Sequence, residues 1–364
     1  MADIKFLLGV AFKNQAARGT ATAMPAIGGG SGTAGAIDEA DGAVLGSDGQ
    51  GVGDSGISFS IGKNITEKAV VSGSFTRNFA NFLGRTVDSF QVVTEIKGSG
   101  LTGSDPIVAA DLDIPLGLEV LYAAAGLQGV YFSSPAPRLA FVPDPTALAT
   151  AAIYFGNEAS NGGQIIIRDV ECRSASFSFP PGETGTITWD LIGEFDSYNE
   201  TGSWPATPFE YGNQASLSAP VIEGAAFTWG PDTPAARQIG FSTLELTVSN
   251  EFETVASSNS ANGRTQRQTG RTISCNATID ATSGEFLYEL DQIGSDNIST
   301  AENLTFSYGT SATVGGIVNG FKILVPDPEL VSLEPERLGD SQAWSLEVVA
   351  RGATIDSELL VQYQ

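Results

Sequence analysis

The chain has 364 residues, 42 of them acidic and 18 basic, which gives a formal net charge of −24 at pH 7. A surface of this charge repels phosphate, so the composition excludes a protein that reads DNA or RNA. Histidine is absent, which removes the commonest general base, the usual metal ligand and every catalytic triad built on histidine.

Other catalytic chemistry is weakly represented in the sequence. The carboxylate pairs Glu251/Glu253 and Asp327/Glu329 have the residue types of a glycosidase, but carboxylates on strands are mostly solvated. No phosphate-binding loop or dinucleotide motif follows a predicted strand. We therefore predict that the protein is not an enzyme and needs no cofactor.

The two cysteines and the acidic glycine-rich stretch are candidate metal ligands. Cys172 and Cys275 lack metal-ligand spacing, and we expect buried free thiols. Residues 38–56 are rich in Asp and Gly but lack the one-three-five pattern and closing glutamate of a calcium loop. This argues against calcium without deciding whether the stretch binds an ion.

The N-terminal region, residues 1–56, combines a short strand with a glycine-rich arm. Ile4 to Phe12 is a predicted edge strand, and Gly28 to Gly56 holds too little apolar surface to fold alone. The first residues are too short and too charged for a signal peptide. We expect a soluble protein made in the cytoplasm.

Ile239 to Leu290 predicts a strand, a long polar loop, a return strand and a helix. Both strands alternate apolar and polar residues, which is typical of a hairpin with one buried face. The loop, Ser257 to Thr269, is longer than the usual two to five residues and should be functional or disordered. Thr282 and Glu285 have the spacing of a capping box for the helix. The apolar strand positions are Leu244, Leu246, Val248, Ile273, Cys275, Ala277 and Ile279.

The same pattern occurs earlier in the chain. Ile57, Phe59 and Ile61 precede Leu244, Leu246 and Val248 at an offset of 187, and Gly84-Arg85-Thr86 precedes Gly270-Arg271-Thr272 at an offset of 186. A helix from Ile114 to Ala125 parallels the later helix, and both halves end in a hairpin. We expect Gly84 to be equivalent to Gly270, and Trp189 to Trp344.

The duplication predicts a mainly β fold with a few short helices and two tandem units. Unit 1 covers 57–196, unit 2 covers 238–364, and an ordered linker rich in Pro and Trp, 197–237, joins them. Within unit 1, the prolines from Pro135 to Pro145 predict an irregular connection.

In order and pattern, the chain resembles the major tail tube proteins of long-tailed, non-contractile bacteriophages. The resemblance rests on a short strand leading into Gly19-Thr20-Ala21-Thr22-Ala23, a hairpin with a long polar loop, one small helix and a closing hairpin. It implies a β-sandwich or barrel flanked by a helix, joined edge to edge into rings that stack into a hollow tube for DNA. A chain with two units implies three copies per ring in place of six.

The resemblance also implies partners and a location. The protein would bind copies of itself and meet the tail terminator, distal tail and tape-measure proteins of a virion tail assembled in the host cytoplasm. DNA would pass without specific binding, and no membrane would be involved.

Two groups of residues are predicted to act in such an assembly. The wet face of the second hairpin supplies the lumen-facing candidates Glu245, Glu251, Glu253 and Asp280. The polar loop, free of acidic residues, supplies an inter-ring arm that contains Asn259, Arg264 and Arg267, with Arg271 beside it. Arginines can pair with carboxylates across a layer contact, so we expect deletion of residues 259–268 to abolish stacking.

Two other classes fit parts of the composition. A different β-rich assembly protein, such as another virion component or a surface-layer protein, would share the Gly, Ser, Thr and Asp content. A carbohydrate-binding module would need clustered exposed aromatic residues, whereas the four tryptophans lie within strands or the linker.

Overall fold

The structure is a computed structural model. It describes residues 6–22, 44–46, 57–67, 79–96, 118–132, 138–157, 161–200, 220–230, 237–256, 264–285, 287, 303–310, 319–339, 341–351 and 358–363. Within those ranges no helix is long and apolar enough to cross a membrane.

Strands dominate the described chain, which confirms the expected mainly β class. In chain order the elements are β1 (Phe6–Asn14), β2 (Val44–Gly46), β3 (Ile57–Glu67), β4 (Phe79–Glu95), α1 (Leu118–Ala124), β5 (Leu127–Phe132), β6 (Arg138–Pro143), β7 (Ala149–Asn157), β8 (Asn161–Ser178), β9 (Thr186–Glu200), β10 (Ala226–Gly230), β11 (Arg237–Gln238), β12 (Phe241–Ala256), β13 (Arg264–Asp280), β14 (Asn303–Thr310), β15 (Asn319–Pro326), β16 (Pro328–Leu338), β17 (Ser341–Ala350) and β18 (Leu360–Tyr363). Residues 281–285 and 287 are also helical.

The strands form two antiparallel sheets. The large sheet has eleven strands, and one path of eight strands, which we call the main path, runs β3-β4-β9-β8-β12-β13-β17-β16. The N-terminal half of β8 also pairs with β7, which continues to β1 and β2. The small sheet has seven strands in the order β11-β10-β14-β15-β18-β6-β5.

Alternation of side chains explains how the large sheet divides core from solvent. On β12, Leu244, Leu246 and Val248 are buried while Glu245 is exposed, as the period of two predicts. The return strand follows the same rule with Ile273, Cys275, Ala277 and Ile279 buried. The predicted hairpin of β12 and β13 is therefore confirmed.

Aromatic residues fill the space between the two sheets. Phe179 beside the large sheet lies 4.4 Å, between ring centroids, from Phe306 of the small sheet. Tyr122 of α1 stacks on Phe141 at 3.9 Å, and its hydroxyl is 2.8 Å from that of Tyr363. Burial raises the pKa of the Tyr122 hydroxyl well above its ordinary value. A single continuous core thus joins the sheets and α1.

A strand order recurs along the large sheet. In the first half β3 pairs β4, β4 pairs β9 and β9 pairs β8; in the second half β12 pairs β13, β13 pairs β17 and β17 pairs β16. In both halves a short helix and a small-sheet hairpin, β5-β6 or β14-β15, stand between the two pairs of strands.

The glycines of the repeated tripeptide occupy matching bulges. Lys63 pairs with Arg85 and Ile65 with Phe82, so one residue of β3 opposes two of β4, among them Gly84. The equivalent pairs, Asn250 with Arg271 and Phe252 with Gln268, enclose Gly270 in the same way. The expected match of Gly84 with Gly270 therefore agrees with the register.

The tryptophan match does not agree. Trp189 faces Val92 on β4, and counting along the paired strands from the glycine bulges places Leu346 at the equivalent position, two residues from Trp344. Both tryptophans still lie on buried faces. An additional bulge at Asp88, absent from β13, changes the spacing that the sequence comparison assumed constant.

Strands from both predicted units share both sheets. In the large sheet β8 of the first half pairs β12 of the second, and in the small sheet the C-terminal β18 lies between β15 and β6. The boundaries 57–196 and 238–364 remain a prediction about sequence repetition.

Four local predictions need correction. Ala256 pairs with Arg264, so the connection spans only residues 257–263, and Arg264 to Thr269 lie in β13. Asp280 caps the second helix in place of Thr282, because its Oδ1 accepts from the Ser283 N–H at 2.7 Å. The proline-rich segment of unit 1 is mostly strand, because β6 lies within it and pairs with β5. Finally, β1 is flanked by β2 and β7 and is not an edge strand.

Candidate functional site

The solvent side of the large sheet forms a continuous polar face. We define the polar face by the alternating residues of five neighbouring strands that point away from the core. One row runs straight across it, because Thr186, Ser178, Glu245, Asn276 and Glu347 oppose one another in register. The polar face comprises Thr186, Thr188, Asp190, Ser174, Ser176, Ser178, Glu245, Thr247, Ser249, Ser274, Asn276, Thr278, Asp280, Ser345 and Glu347.

Hydroxyls and carboxylates dominate the chemistry of the polar face. The Ser176 hydroxyl donates to Glu245 Oε1 at 2.6 Å and lies 2.9 Å from the Thr247 hydroxyl. Arg173, whose side chain is 53% exposed, lies 3.9 Å from Asp190. Partial burial raises the pKa of Asp190, and Arg173 opposes that shift. The surface is therefore hydrophilic and predominantly anionic.

The predicted lumen residues fall in two places. Glu245 and Asp280 are exposed on the sheet itself, although Asp280 also caps the following helix. Glu251 and Glu253 are exposed on the same side of β12 but beyond the last residue that pairs with β8. All four residues are exposed, and two of them lie past the sheet, which the alternation did not predict. That they face a lumen stays a prediction.

Beyond the sheet, β12 and β13 continue as a two-stranded extension that we call the ribbon, residues 250–256 and 264–272. β12 pairs with β8 only to Ser249, and β13 pairs with β17 only from Ser274. Further out, within the described residues, the two strands pair only with each other. The predicted arm is therefore a β-ribbon that begins earlier than expected, not a long loop.

The predicted arm residues take different positions on the ribbon. Arg264 and Arg267 belong to its outer part, where Arg267 is exposed and opposes Glu253. Asn259 lies outside the described residues. Arg271 is at the base, with a side chain only 12% exposed.

Arg271 holds the ribbon to the body of the same chain. Its Nη1 donates to the carbonyl oxygens of Gly126 at 3.1 Å and Asp144 at 2.9 Å, and its Nη2 lies 3.7 Å from a Glu358 carboxylate oxygen. Gly126 has φ of 78°, and a Cβ there would lie 2.8 Å from the Asp144 oxygen. These contacts of Arg271 lie within the chain, at the base of the ribbon, and its part in an inter-ring arm stays a prediction.

Asn250 is a second anchor that the sequence analysis missed. Its Nδ2 donates to the carbonyls of Ala125 at 2.9 Å and Cys172 at 3.0 Å, and its Oδ1 accepts from Gln268 Nε2 at 2.9 Å. An isolated two-stranded ribbon is marginally stable, so these buried bonds set its direction. The signal was available, because Asn250 continues the buried register of Leu244, Leu246 and Val248.

A second polar cluster holds the N-terminal segment on β8. Asp169, with φ of 50°, accepts from the Gly19 N–H at 2.8 Å and from the Gln15 amide. The Arg18 Nη2 donates to both carboxylate oxygens of Glu171, each at 3.1 Å. The Gly-Thr-Ala stretch is thus fixed immediately before residues 23–43, which lie outside the described residues and include the start of the predicted glycine-rich arm.

Glu171 should give this cluster an unusual pH dependence. Burial raises its pKa above the ordinary 4.5, while Arg18 and Thr146 act in the opposite direction. A raised folded-state pKa means that the folded chain binds this proton more tightly than the unfolded chain does. Its contribution to stability is therefore complete below the ordinary pKa and declines as pH rises through the raised value.

We expect the free energy of unfolding of wild type, minus that of Glu171→Gln, to fall as pH rises above 4.5 towards neutrality. Wild type loses stability relative to the variant because only wild type must release this proton. Urea unfolding at several pH values measures it, and the subtraction cancels carboxylates common to both proteins. Exposed Glu183→Gln is the control and should show no such trend. A difference that grows with pH would contradict the assignment.

The described residues offer little to a metal ion or a covalent reaction. They contain no group of three or more His, Cys, Asp or Glu side chains placed to hold a metal. Cys172 and Cys275 are buried, and burial raises both thiol pKa values, that of Cys275 to about 12. Few thiolates form at that pKa, so nucleophilic attack by these cysteines is disfavoured.

The candidate site therefore consists of two surfaces, the polar face and the ribbon. The chain matches no protein-family model, and no curated protein is similar enough in sequence to identify a relative.

Proposed function

We propose that the protein is a structural subunit that forms rings, and that stacked rings make a tube through which DNA passes. The role resembles that of the major tail tube proteins of long-tailed bacteriophages, with the tube unit duplicated within one chain. The observation that carries the proposal is the recurrence of one strand order along a single continuous sheet.

Two adjacent units within one chain already display the kind of contact that a ring needs. β8, the last strand of the first unit in the sheet, pairs directly with β12, the first strand of the second. Repeating this contact between chains would extend the sheet, and a closed ring removes free edges that would otherwise promote aggregation. Three copies of a two-unit chain would then supply six units.

The dimensions of such a ring suit a channel. Each chain contributes the eight strands of the main path, so three chains place twenty-four side by side. With strands about 4.8 Å apart and tilted about 40°, the resulting barrel measures about 48 Å between opposite backbones. Side chains that project about 5 Å from each wall leave a bore of about 38 Å.

The polar face supplies a suitable lining for this bore. Its hydroxyls and carboxylates hold water at the wall, and its net negative charge offers phosphate no binding site. Three copies at −24 each carry −72 per ring. DNA passing through would meet repulsion and would not adhere.

Negative-stain microscopy of the purified protein tests the proposal. We expect rings or tubes with a stain-filled centre and three-fold symmetry in end views. Flat arrays would favour another β-rich assembly protein, and isolated particles at all concentrations would contradict self-assembly.

Reversing charge on the polar face should make assembled tubes retain DNA. Glu245 and Glu347 flank Asn276 in one row, and Glu245→Lys with Glu347→Lys places six new cations in a three-copy ring. Each phosphate that they neutralise should steepen the dependence of log binding constant on log salt by about 0.9.

Retention of double-stranded DNA during sedimentation of tubes at several salt concentrations measures this effect. The matched control, Glu183→Lys with Glu223→Lys, makes the same charge change at exposed sites off the polar face. Equal retention by both variants would show that the polar face does not line the bore.

A further inference from the structure

The main path of the large sheet ends in two strands that each have one neighbour among the described residues. β3 pairs only with β4, and β16 pairs only with β17. β16 is largely exposed along its C-terminal half, and Val331 near its middle is 53% exposed. Unpaired strand edges of this length are a template for another strand.

The junction between β8 and β12, which we call the internal junction, shows what such an edge accepts. It is antiparallel, with Ser178 opposite Glu245, Ser176 opposite Thr247 and Ser174 opposite Ser249. By the repeated strand order, β8 is equivalent to β16, and β12 is equivalent to β3. The internal junction therefore has a counterpart that the single chain cannot form.

The equivalence of β8 with β16 holds residue by residue. β8 pairs with β9, and β16 pairs with β17. Over five consecutive positions, each residue pair of β8 and β9 has a counterpart in β16 and β17. Ser174 opposite Asp190 matches Ser332 opposite Glu347, Ser176 opposite Thr188 matches Glu334 opposite Ser345, and Ser178 opposite Thr186 matches Glu336 opposite Ala343.

The equivalence of β12 with β3 is anchored by the glycine bulges. Lys63 opposite Arg85 corresponds to Asn250 opposite Arg271. Counting back from these pairs places Ser58, Ser60 and Gly62 at the positions of Glu245, Thr247 and Ser249.

We propose that β16 of one copy pairs antiparallel with β3 of the next copy, in the register of the internal junction. Ser58 then lies opposite Glu336, Ser60 opposite Glu334 and Gly62 opposite Ser332. The inference rests on the proposed self-assembly and adds the partner strand and its register.

The chemistry of the two edges is complementary in this register. In the internal junction, Ser176 of β8 donates to Glu245 of β12 at 2.6 Å. The equivalent positions are Glu334 on β16 and Ser58 on β3, so the intermolecular junction again joins a hydroxyl and a carboxylate, with their strands exchanged. In the same register Leu333 stands opposite Ile61, the position that Ala175 and Val248 take in the internal junction.

Pro335 marks the one difference in hydrogen bonding. It stands where Phe177 stands in the internal junction and has no N–H to donate. The intermolecular junction therefore has at most one ladder donor fewer than its internal counterpart. A slightly weaker contact between chains than within them fits a subunit that folds first and assembles afterwards.

Disulfide trapping tests the register. In an antiparallel pair, opposed residues lie within the 4.4–6.8 Å between Cα atoms that a disulfide requires, roughly, whereas residues two positions apart do not. We expect the double variant Ser60→Cys with Glu334→Cys to form disulfides between chains on oxidation after assembly. Non-reducing electrophoresis should show dimers and trimers and, for a closed three-copy ring, no longer ladder.

Two matched variants calibrate the experiment. Ser176→Cys with Thr247→Cys, the equivalent pair of the internal junction, should form a disulfide within one chain. Ser58→Cys with Glu334→Cys is displaced by two residues and should form little. The buried native cysteines contribute a low background that the wild type measures.

The outcomes separate this inference from the proposed function. Wild-type rings with stronger trapping in the displaced pair, or with none in the matched pair, overturn the register and leave the tube proposal standing. Absence of wild-type rings or tubes overturns both.

Hydrogen exchange of the wild-type protein measures protection of the β16 backbone directly and needs no substitution. Among residues 331–337, the backbone amides that point away from β17 should become protected on assembly; Pro335 has none. Unchanged exchange of those amides would also overturn the inference.

Discussion

Replacing residues 253–267 with an Asn-Gly turn is expected to give a folded, soluble chain that forms rings but no longer stacks into long tubes. The new turn joins Phe252 to Gln268, which already oppose each other, and a two-residue Asn-Gly turn suits such a hairpin. None of the residues of the removed part whose burial the structure describes belongs to the hydrophobic core. It does carry Arg264 and Arg267, the arm residues proposed to meet carboxylates of the adjacent ring.

The structure determines where this deletion can safely end. Removal of residues 259–268, the change that the sequence favours, would cut into β13 and delete Gln268, which bonds to Asn250 at the base of the ribbon. A failure to assemble could then reflect loss of that anchor. Retaining Asn250, Gln268 and Arg271 confines the change to the outer ribbon.

Tube length in negative stain and sedimentation velocity measure the result. The control replaces only Arg264 and Arg267 with alanine and keeps the ribbon, so it separates charge pairing from the ribbon's shape. Tubes of normal length from the shortened chain would show that the ribbon is not a stacking element.

Trp189→Ala should destabilise the whole chain by about 3–5 kcal/mol, the usual cost of removing a buried aromatic side chain. Trp189 is completely buried, donates its indole N–H to Thr94 Oγ1 at 3.0 Å and packs edge-on against Tyr122 at 5.1 Å. The substitution leaves a cavity where β9, β8 and α1 meet.

Because strands from both halves share both sheets, we expect one cooperative unfolding transition that shifts as a whole. Urea unfolding followed by circular dichroism and by tryptophan fluorescence should give coincident midpoints, both lowered in the variant. Trp189→Phe, which keeps an aromatic ring but loses the N–H donor, should fall between. Two transitions, of which only one moves, would show that the predicted units fold independently.

The sequence by itself determined the strands in which apolar and polar residues alternate. In β12 and the inner part of β13, one face is apolar and the other polar, so strand type, hairpin pairing and the exposed side of Glu245 could be predicted. The repeated Gly-Arg-Thr tripeptide marked two equivalent bulges, because a local pattern of residues accompanies a local backbone irregularity. Both helices were also expected near their observed positions.

Only the tertiary structure decided which strands lie side by side. Alternation of apolar and polar residues predicts which face of a strand is buried but not which strand lies beside it. The β8-β12 junction and the position of β18 between β15 and β6 therefore could not be predicted from the sequence. The outer ribbon was taken for a loop because a two-stranded extension exposed on both sides needs no apolar alternation. Arg271 and Asn250 became anchors through backbone carbonyls at Gly126, Asp144, Ala125 and Cys172, which the fold brings near from distant parts of the chain.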